Sequence, residues 1–548
     1  MGPVDPQFQS STDVSNGGVL LALPALLGNG LLRHTDKHFT LKNGYYGLYT
    51  IFLFLAFMLL SRIRSIESLR YCSPGEWGKL LGIDRGPEVK IVREKIASLA
   101  GQGKTHEWSA AICQDWMNEQ PGDTATLYID GHVRVYHGEK AKLPKHYVAR
   151  QKLCLHGTCD YWVNAMNGNP FFVITKDVDP GLLQVLEHDI VPRIKQDVPH
   201  QPSDEELKAD PLLHRFILVF DRAGYSPDFL LTMKKERIAC LTYRKNPMEP
   251  WDESEFTLKT VTLGSGEVVE MRLAERGVLL SCSEKQQLWV REIRRLMDGG
   301  HQTAIVSTAY RSELEGQAAG MFARWSQENF FKYMRQHYGL DKLAEYSVEA
   351  LSEETRVVNP KYRQLDNTIK SKTGILNRKK ARFASLTIDG EIEEQKVKKY
   401  QEKKAQLQEE IVHAKTEIDG LKTERKHTPK HIEIKALPEE EKLQRLSTLG
   451  KDFLDTIKMI AYRAETAMVN IVRGSMSRED DARSFIRSLY TTAADIIPEE
   501  KNGILRVRLH HMATRSADET ARCLCAALND TEIIYPGTKL RVFYEMVS

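Results

Sequence analysis

A continuous apolar run at residues 216–220 (FILVF) requires a β-sheet that is covered on both faces. A helix is predicted from residue 226 to about residue 236, and a second strand at residues 238–243. A strand, a helix and a strand in this order pack with the two strands parallel. The sequence therefore predicts an α/β fold. It also places Asp221, directly after the apolar run, at the edge where such sheets collect functional side chains.

A second acidic residue belongs to a predicted antiparallel meander. Residues 124–138 (TATLYIDGHVRVYHG) alternate between polar and apolar side chains, and a hairpin turn is predicted at Asp130 and Gly131. Residues 151–166 and 170–177 are predicted to form the next two strands. Asp130 then lies at the end of the first strand. The order of the predicted elements resembles that of a ribonuclease H-like sheet, in which the first and central strands are neighbours.

A third acidic residue lies in an aromatic-rich stretch at residues 318–340, which is predicted to be one helix. Arg324, Glu328 and Arg335 are spaced by four and seven residues, so they project from nearly the same face. Aromatic side chains surround that face. Taken alone, the pattern indicates an Arg–Glu pair on a core helix.

The three acidic residues gain a second interpretation when they are considered together. Asp130 and Asp221 would be neighbours in the predicted sheet, and Glu328 lies on a later helix. Carboxylates that meet at one point repel each other unless a divalent cation neutralises them, and Mg²⁺ prefers oxygen ligands of this kind. The pattern therefore predicts a site for Mg²⁺ (or Mn²⁺) in a catalytic domain made of residues 119–245 and 301–350.

Composition excludes several other classes of protein. The chain has 548 residues and a net charge of +3, so a nucleic-acid surface has to come from local clusters of charge. Eight scattered cysteines without a CxxC pair argue against a disulfide framework. Residues 101–105 (GQGKT) resemble part of a phosphate-binding loop, but Ser98 stands where that motif needs glycine.

Residues 1–118 are predicted to form a helical N-terminal domain. Residues 45–60 are apolar and uncharged, but this run of 16 residues is shorter than the about 20 that span a membrane. We expect a buried helix here, and a membrane anchor is the alternative. Residues 72–99 favour two short helices, which is compatible with a DNA-binding helix-turn-helix.

The other segments are predicted from changes in residue pattern. Residues 246–300 alternate as β-strands do and form a β-rich insertion before the aromatic helix. Residues 351–475 combine a basic helix with heptads typical of a coiled coil, either as a hairpin within the chain or as a dimer seam. Residues 476–548 are predicted to form a small C-terminal α/β module.

A basic run at residues 359–383 contains eight Lys or Arg residues and one Asp. Such a run either tracks a DNA backbone without reading its sequence or forms a solvated helix face. Under the first interpretation, the phosphate-binding candidates are Lys361, Arg363, Lys370, Lys372, Arg378, Lys379 and Lys380.

The sequence resembles the DDE transposases of bacterial insertion sequences, in the branch with the motif Y-x2-R-x3-E-x6-K. Arg324, Glu328 and Arg335 fall at the R, E and K positions, and the run FARWSQENFFKYMR is close to the RW-x2-E-x2-F core of that family. YIDGH at residues 128–132 and FDRAGY at residues 220–225 resemble its two Asp motifs. The resemblance covers roughly residues 45–385. It departs from the family at Met321, which replaces the Tyr, and at Arg335, which replaces the Lys.

The resemblance implies a ribonuclease H-like catalytic domain and a mechanism. Asp130, Asp221 and Glu328 would hold the metal ions, and Arg324, Arg335 and His132 would contact phosphate. Water would cut the transposon end, and the freed 3′-hydroxyl would then attack target DNA.

The resemblance also implies the partners and the location of the protein. These are transposon-end and target DNA, a second copy of the chain, and the nucleoid in a bacterial cytoplasm without stable membrane association. Two alternatives stay open. One is a membrane-anchored coiled-coil protein, and the other is a ribonuclease H-like nuclease without strand transfer, including a decayed transposase.

Overall fold

The computed structural model describes most of the chain, and for residues 325–328 and 348 it describes the backbone alone. The described ranges are 2–42, 44–139, 141–148, 151–246, 249–263, 267–322, 325–342, 348–387, 394–438, 442–476 and 478–547. The chain divides into two compact units. The first contains residues 1–137, 145–347 and 446–548, and the second contains residues 138–144 and 348–445.

The N-terminal part of the first unit is mainly helical. Its elements are β1 (Ser11–Val14), α1 (Leu23–Gly28), α2 (Thr35–His38), α3 (Leu48–Leu60), α4 (Pro74–Leu81), α5 (Val89–Ala100) and α6 (Thr105–Glu119). The apolar run forms α3, in which residues 50–60 are all buried, and this confirms the prediction of a buried helix. Phe52 packs its ring against Trp108 and Phe453. None of the described helices is long and apolar enough to cross a membrane.

A ten-stranded mixed sheet forms the centre of the first unit. Its first six strands are β2 (Thr126–Val135), β3 (Lys145–Val148), β4 (Leu153–Ala165), β5 (Pro170–Lys176), β6 (Ile217–Phe220) and β7 (Ala239–Tyr243). Strands β2, β6 and β7 are parallel, whereas β4 is antiparallel to β2 and to β5. The helices between these strands are α7 (Leu182–Val185), α8 (Val191–Asp197), α9 (Asp204–Ala209) and α10 (Pro227–Lys235). The strand–helix–strand unit β6–α10–β7 confirms the predicted parallel pair.

The hairpin turn predicted at Asp130 and Gly131 is wrong. Strand β2 continues through both residues and stays paired with β4 as far as Val135, opposite Gly157. The alternating side chains on both sides of the Asp-Gly pair belong to one long strand. Asp130 is therefore held by a ladder on its β4 side and does not lie in a turn.

The strands of the predicted insertion extend the same sheet. They are β8 (Thr257–Thr262), β9 (Val268–Ser281), β10 (Gln287–Leu296) and β11 (Gln302–Ser307), and β11 pairs antiparallel with β7. The full strand order is β3-β4-β2-β6-β7-β11-β10-β9-β8, with β5 beside β4. The helical ranges that follow are α11 (Leu314–Phe322) and α12 (Trp325–Tyr338), and the predicted single helix at residues 318–340 includes residues 323 and 324, which lie outside the described ones.

The second unit is built around two long helices, α13 (Pro360–Ala384) and α14 (Glu394–His427). Its short strands are β12 (Val348–Ala350), β13 (Arg356–Val358), β14 (His431–Glu433) and β15 (Gln444–Leu446). The two helices run antiparallel, because Lys372 pairs with Glu417 and Lys379 with Glu410. The heptad residue Ile418 is buried against α13, which favours the hairpin within the chain over a dimer seam.

The chain returns to the first unit with α15 (Leu449–Arg473), which is buried along most of its length, and α16 (Ala482–Thr491). The last elements are β16 (Ala494–Glu499), β17 (Ile504–Leu509), α17 (Arg515–Asn529) and β18 (Arg541–Met546). Together with β1 they form a four-stranded sheet in the order β1-β16-β17-β18. The C-terminal segment thus combines strands with one helix that lies between β17 and β18 along the chain.

Candidate active site

The register of the central sheet brings two of the three candidate carboxylates together. Ile129 of β2 lies opposite Phe220 of β6 in the parallel ladder. Asp130 directly follows Ile129 and Asp221 directly follows Phe220. Neighbouring strands in a sheet are about 4.8 Å apart. The structure therefore places the two aspartates side by side, with Asp221 directly after the last residue of its strand.

Both aspartates face the same side of the sheet. Side chains alternate along a strand, so Asp130 projects with Tyr128 and Asp221 projects with Val219. Tyr128 and Val219 belong to one buried apolar cluster, which also contains Met321 of α11. The two carboxylates thus lie at the end of the face that α11 covers.

The backbone after Asp221 is a tight turn. The Asp221 carboxylate accepts a hydrogen bond from the amide of Arg222 at 2.6 Å, and the Asp221 carbonyl accepts one from the amide of Gly224 at 2.9 Å. A Cβ atom on Gly224 would lie 2.7 Å from the ring of Phe220, so this turn needs glycine. The Asp130 carboxylate similarly accepts a hydrogen bond from the amide of Gly131 at 2.9 Å.

Helix α12 packs on the same face beside the aspartates. The ring of His132, two residues after Asp130, stacks on Phe331 with centroids 5.3 Å apart. Trp162, which lies opposite Asp130 in β4, packs against Phe330 at 5.3 Å. These contacts fix the first half of α12 over β2 and β4, within one helical turn of the backbone of Glu328.

For two of the predicted site residues, Arg324 and Glu328, the position of the side chain is not described. Arg324 lies outside the described residues. Glu328 belongs to α12, but its side chain lies outside them. Among the side chains that are described, no group of three or more His, Cys, Asp or Glu residues is arranged to hold a metal ion. The structure therefore brings together Asp130, Asp221 and the helix that carries Glu328.

The remaining positions of the aromatic helix are well defined. Met321 is fully buried in the apolar cluster, and its carbonyl accepts a 3.4 Å hydrogen bond from the hydroxyl of Tyr243. Its side chain is part of the sheet–helix interface. Arg335 is half-buried, and its Nε donates to the carbonyl of Phe331 at 3.3 Å.

His132 has a well-defined partner as well. It is buried, and its Nε2 lies 2.7 Å from Oδ1 of Asp341. With Phe331 on one side and Asp341 at its edge, the imidazole connects β2 to α12 and to the segment after it.

A fully buried ionic cluster lies further along the same face. Arg134 Nη2 is 3.0 Å from Asp160 and 2.9 Å from Asp455, and Lys451 Nζ is 3.1 Å from Asp160 and 3.0 Å from Asp455. Burial on its own would raise the pKa of Asp160, but the charges of Lys451 and Arg134 outweigh it and hold that pKa below its usual value. The cluster therefore ties α15 to β2 and β4.

Sequence reasoning missed this cluster. Its only local signal is the spacing of Lys451, Asp455 and Lys458 by four and three residues, which puts three charges on one face of a predicted helix. Such a face is usually solvated. Only the buried Arg134 and Asp160 on distant strands show that it is not.

A second buried carboxylate fixes the other end of α12. Glu465 of α15 accepts a hydrogen bond from the hydroxyl of Tyr338 at 2.8 Å and another from the hydroxyl of Tyr333. Arg62 Nη2 lies 2.5 Å from Glu465, and Arg483 Nη1 lies 3.4 Å from it. The aromatic face of α12 is thus bonded to α15 at its C-terminal end.

The basic candidates lie on α13 in the second unit. Four of the seven are ion-paired there, as Lys361 with Glu424, Lys370 with Asp366, Lys372 with Glu417 and Lys379 with Glu410. Arg363, Arg378 and Lys380 are exposed. The pairs within the hairpin offset much of the charge of the basic run.

The fold and the site define an α/β protein whose mixed sheet carries adjacent aspartates at the end of its parallel core. The chain belongs to a transposase family, because the family model described as "Transposase protein" matches residues 2–548.

Among solved structures, the chain is similar to the piggyBac transposase in a synaptic complex with hairpin DNA. The two share 11% sequence identity and a TM-score of 0.28, over 59% of this chain and 63% of that one. The chain therefore spans less than two thirds of the length of that structure. A comparison with curated proteins gives no match.

Proposed function

We propose that this member of a transposase family cuts transposon ends and joins them to target DNA in a ribonuclease H-like catalytic domain. The observation that carries the proposal is the register of Asp130 and Asp221, side by side on parallel strands and beneath α12. The strand order β5-β4-β2-β6-β7, in which β4 alone runs antiparallel to the other four strands, supports a ribonuclease H-like sheet.

The donor set fits a divalent cation. Asp130 and Asp221 supply hard carboxylate oxygens whose mutual repulsion a cation would relieve, and Glu328 of α12 is the proposed third ligand. When bound, Mg²⁺ (or Mn²⁺) ions would activate the attacking oxygen and stabilise the leaving one.

The protein's own residues would position the DNA. Arg324 and Arg335 are the proposed donors to phosphate oxygens, in keeping with their places in the DDE motif of bacterial insertion sequences. The exposed Arg363, Arg378 and Lys380 on α13 are proposed to contact the DNA backbone. For His132 we propose a positioning role, because Phe331 and Asp341 already contact its ring.

The resemblance further suggests that two copies of the chain act on the paired ends. A bacterial origin and action at the nucleoid remain predictions that rest on the resemblance alone.

The proposal is tested by incubating the protein and Mg²⁺ with DNA that carries the repeats flanking its coding sequence. Asp221→Asn and Glu328→Gln should abolish cutting, whereas Asp84→Asn, at an exposed position on a different segment, should not. Persistent cutting by Asp221→Asn would refute the site. A labelled end and a plasmid target then separate the alternatives, because a nuclease without strand transfer would release cut ends but leave the plasmid unlabelled.

A further inference from the structure

A large cleft runs beside α12 in the first unit. Its volume is about 1260 Å³, and its walls come from β9, β10 and α11 on one side and from α12, α15 and α16 on the other. Small-molecule sites usually have about 300–1000 Å³, so this cleft suits a polymer better than a free nucleotide. The cations that line it are Arg295, Lys332, Arg473, Arg483 and Arg487, and its acidic residues are Glu267, Glu479 and Asp480.

Two of these arginines are held in place by aromatic rings. The guanidinium carbon of Arg483 lies 4.8 Å from the ring centres of both Tyr333 and Tyr462. Arg487 lies 5.8 Å from the ring centre of Tyr333, and its Nη1 donates to Nε2 of His337 at 2.5 Å. Guanidinium groups that are already fixed lose little conformational entropy when an anion binds. These two arginines are therefore pre-organised to bind phosphate.

The charge of Arg487 is not offset by its nearest partner. Burial, followed by the charge of Arg487 itself, lowers the pKa of His337 to about 4, so the imidazole is neutral at pH 7. In the described part of the chain, no carboxylate lies within ion-pair distance of Arg295, Lys332, Arg473 or Arg487. The five cations that line the cleft outnumber its three acidic residues, so its described lining carries a net positive charge.

Two residues that line the cleft are close in sequence to the proposed carboxylate ligands. Lys332 lies one turn after Glu328 on α12, and Tyr128, two residues before Asp130 on β2, also lines the cleft. A chain of phosphates bound along this wall would therefore pass beside the paired aspartates. Phosphate contacts of this kind set the position of DNA without reading its sequence.

We propose that this cleft binds the sugar–phosphate backbone of the DNA strand that enters the active site, with Lys332, Arg473 and Arg487 as its phosphate contacts. The inference rests on the proposed function, since it takes the paired aspartates as the site of cutting. It adds phosphate contacts beyond the motif cations Arg324 and Arg335 and beyond the basic helix α13.

The test measures DNA binding and not cutting. A fluorescein-labelled 30-bp duplex of arbitrary sequence is titrated in EDTA with the full chain, and anisotropy is followed at several salt concentrations. Replacing one phosphate contact should lower the slope of log K against log salt by about 0.9, which is an about eightfold loss of affinity at 0.1 M salt. We expect this for Lys332→Gln and for Arg473→Gln.

Matched variants distinguish a local contact from a general effect of charge. Arg515→Gln removes one exposed positive charge from α17, outside the cleft, and should bind within about twofold of the wild type. Lys332→Arg keeps the charge and should retain the wild-type slope. Thermal melts of all variants check that they are folded.

The possible outcomes separate this inference from the proposed function. If the wild type binds DNA but Lys332→Gln and Arg473→Gln behave as Arg515→Gln does, the cleft is not the DNA path, and the proposed function is unaffected. If the wild type does not bind the duplex at any salt concentration, the proposed function fails as well.

Discussion

The imidazole ring of His132 lies nearly parallel to the ring of Phe331, with centroids 5.3 Å apart and an angle of 15° between the planes. This pair joins the strand that carries Asp130 to the helix that carries Glu328. The distance between Asp130 and Glu328 therefore depends on a stacking contact between two other residues, His132 and Phe331. Small displacements of catalytic groups are costly, since about 1 Å can reduce a rate about a hundredfold.

The first prediction concerns this stacked pair. His132→Ala should reduce DNA cutting at least about tenfold and lower the free energy of unfolding by about 1–3 kcal/mol, because α12 loses its support on β2. His132→Phe keeps a ring against Phe331 and should retain most of the cutting. Cutting rates and urea unfolding measure the two effects. If both variants cut equally slowly, the imidazole itself takes part in the reaction and the positioning role is wrong.

The second prediction concerns the paired aspartates. Without metal, Asp221→Asn should be as stable as the wild type or more stable, because it removes the repulsion between adjacent carboxylates. Mn²⁺ at about 100 times its Kd should stabilise the wild type by about 2.7 kcal/mol, and this gain should be lost in the variant. Thermal melts with EDTA and with Mn²⁺ measure both. Equal stabilisation of wild type and variant would place the metal elsewhere, and Asp84→Asn is the matched control.

The third prediction concerns the buried ionic cluster. Asp455→Asn preserves the side-chain volume but leaves Arg134 and Lys451 partly uncompensated, so it should cost about 3–5 kcal/mol at pH 7. Glu519→Gln breaks the exposed pair with Arg515 and should cost less than about 1 kcal/mol. Urea unfolding compares the two. A loss below about 1 kcal/mol for Asp455→Asn would mean that the cluster contributes little to stability.

The fourth prediction is the pH dependence of that loss. Burial would raise the pKa of Asp455, but the charges of Arg134, Lys451 and Lys458 lower it well below the ordinary value of 3.8. A lowered folded-state pKa contributes stability that is complete above the unfolded-state pKa and is lost as the pH falls towards the folded-state value. The difference between wild type and Asp455→Asn should therefore be constant above about pH 5. Below about pH 4 it should shrink by about 1.4 kcal/mol per pH unit. A difference that stays constant down to pH 2.5 would contradict the lowered pKa.

The fifth prediction concerns the neutral histidine in the cleft. Burial and then the charge of Arg487 lower the pKa of His337 to about 4. Arg487→Gln should raise this pKa, but to a value still below 6.5, because burial is the larger cause and remains. NMR titration of the His337 ring proton measures the change. An unchanged pKa would show that Arg487 is not close to the imidazole in solution, and Arg515→Gln controls for overall charge.

The local patterns of the sequence were sufficient for several parts of the structure. The apolar run at residues 216–220 predicted a buried parallel strand, and the parallel ladder places Asp221 at its carboxyl end. The run at residues 45–60 predicted a buried helix, because it is too short for a membrane, and it forms α3. In both cases the side chains of one short segment decide its burial.

Other parts depend on distant partners. Asp130 was predicted to lie in a turn, because Asp-Gly favours one, but the β4 partners of β2 keep the strand extended through it. Lys451 and Asp455 belong to a charged helix face that would be solvated in isolation. Their burial depends on Arg134 and Asp160, about 300 residues away in the chain, and no local pattern encodes that contact.

Helix α15 holds two buried carboxylates, Asp455 and Glu465, about three turns apart. One end is bonded to β2 and β4 through Asp455, and the other is bonded to α12 through Glu465. A shortened protein that ended before residue 446 would keep Asp130, Asp221 and Glu328, but Arg134 would lose Asp455 and Arg62 would lose Glu465. The catalytic sheet is therefore not a detachable module. Deletions from the C-terminal side should abolish folding of the first unit as a whole, and not only the function of its last segment.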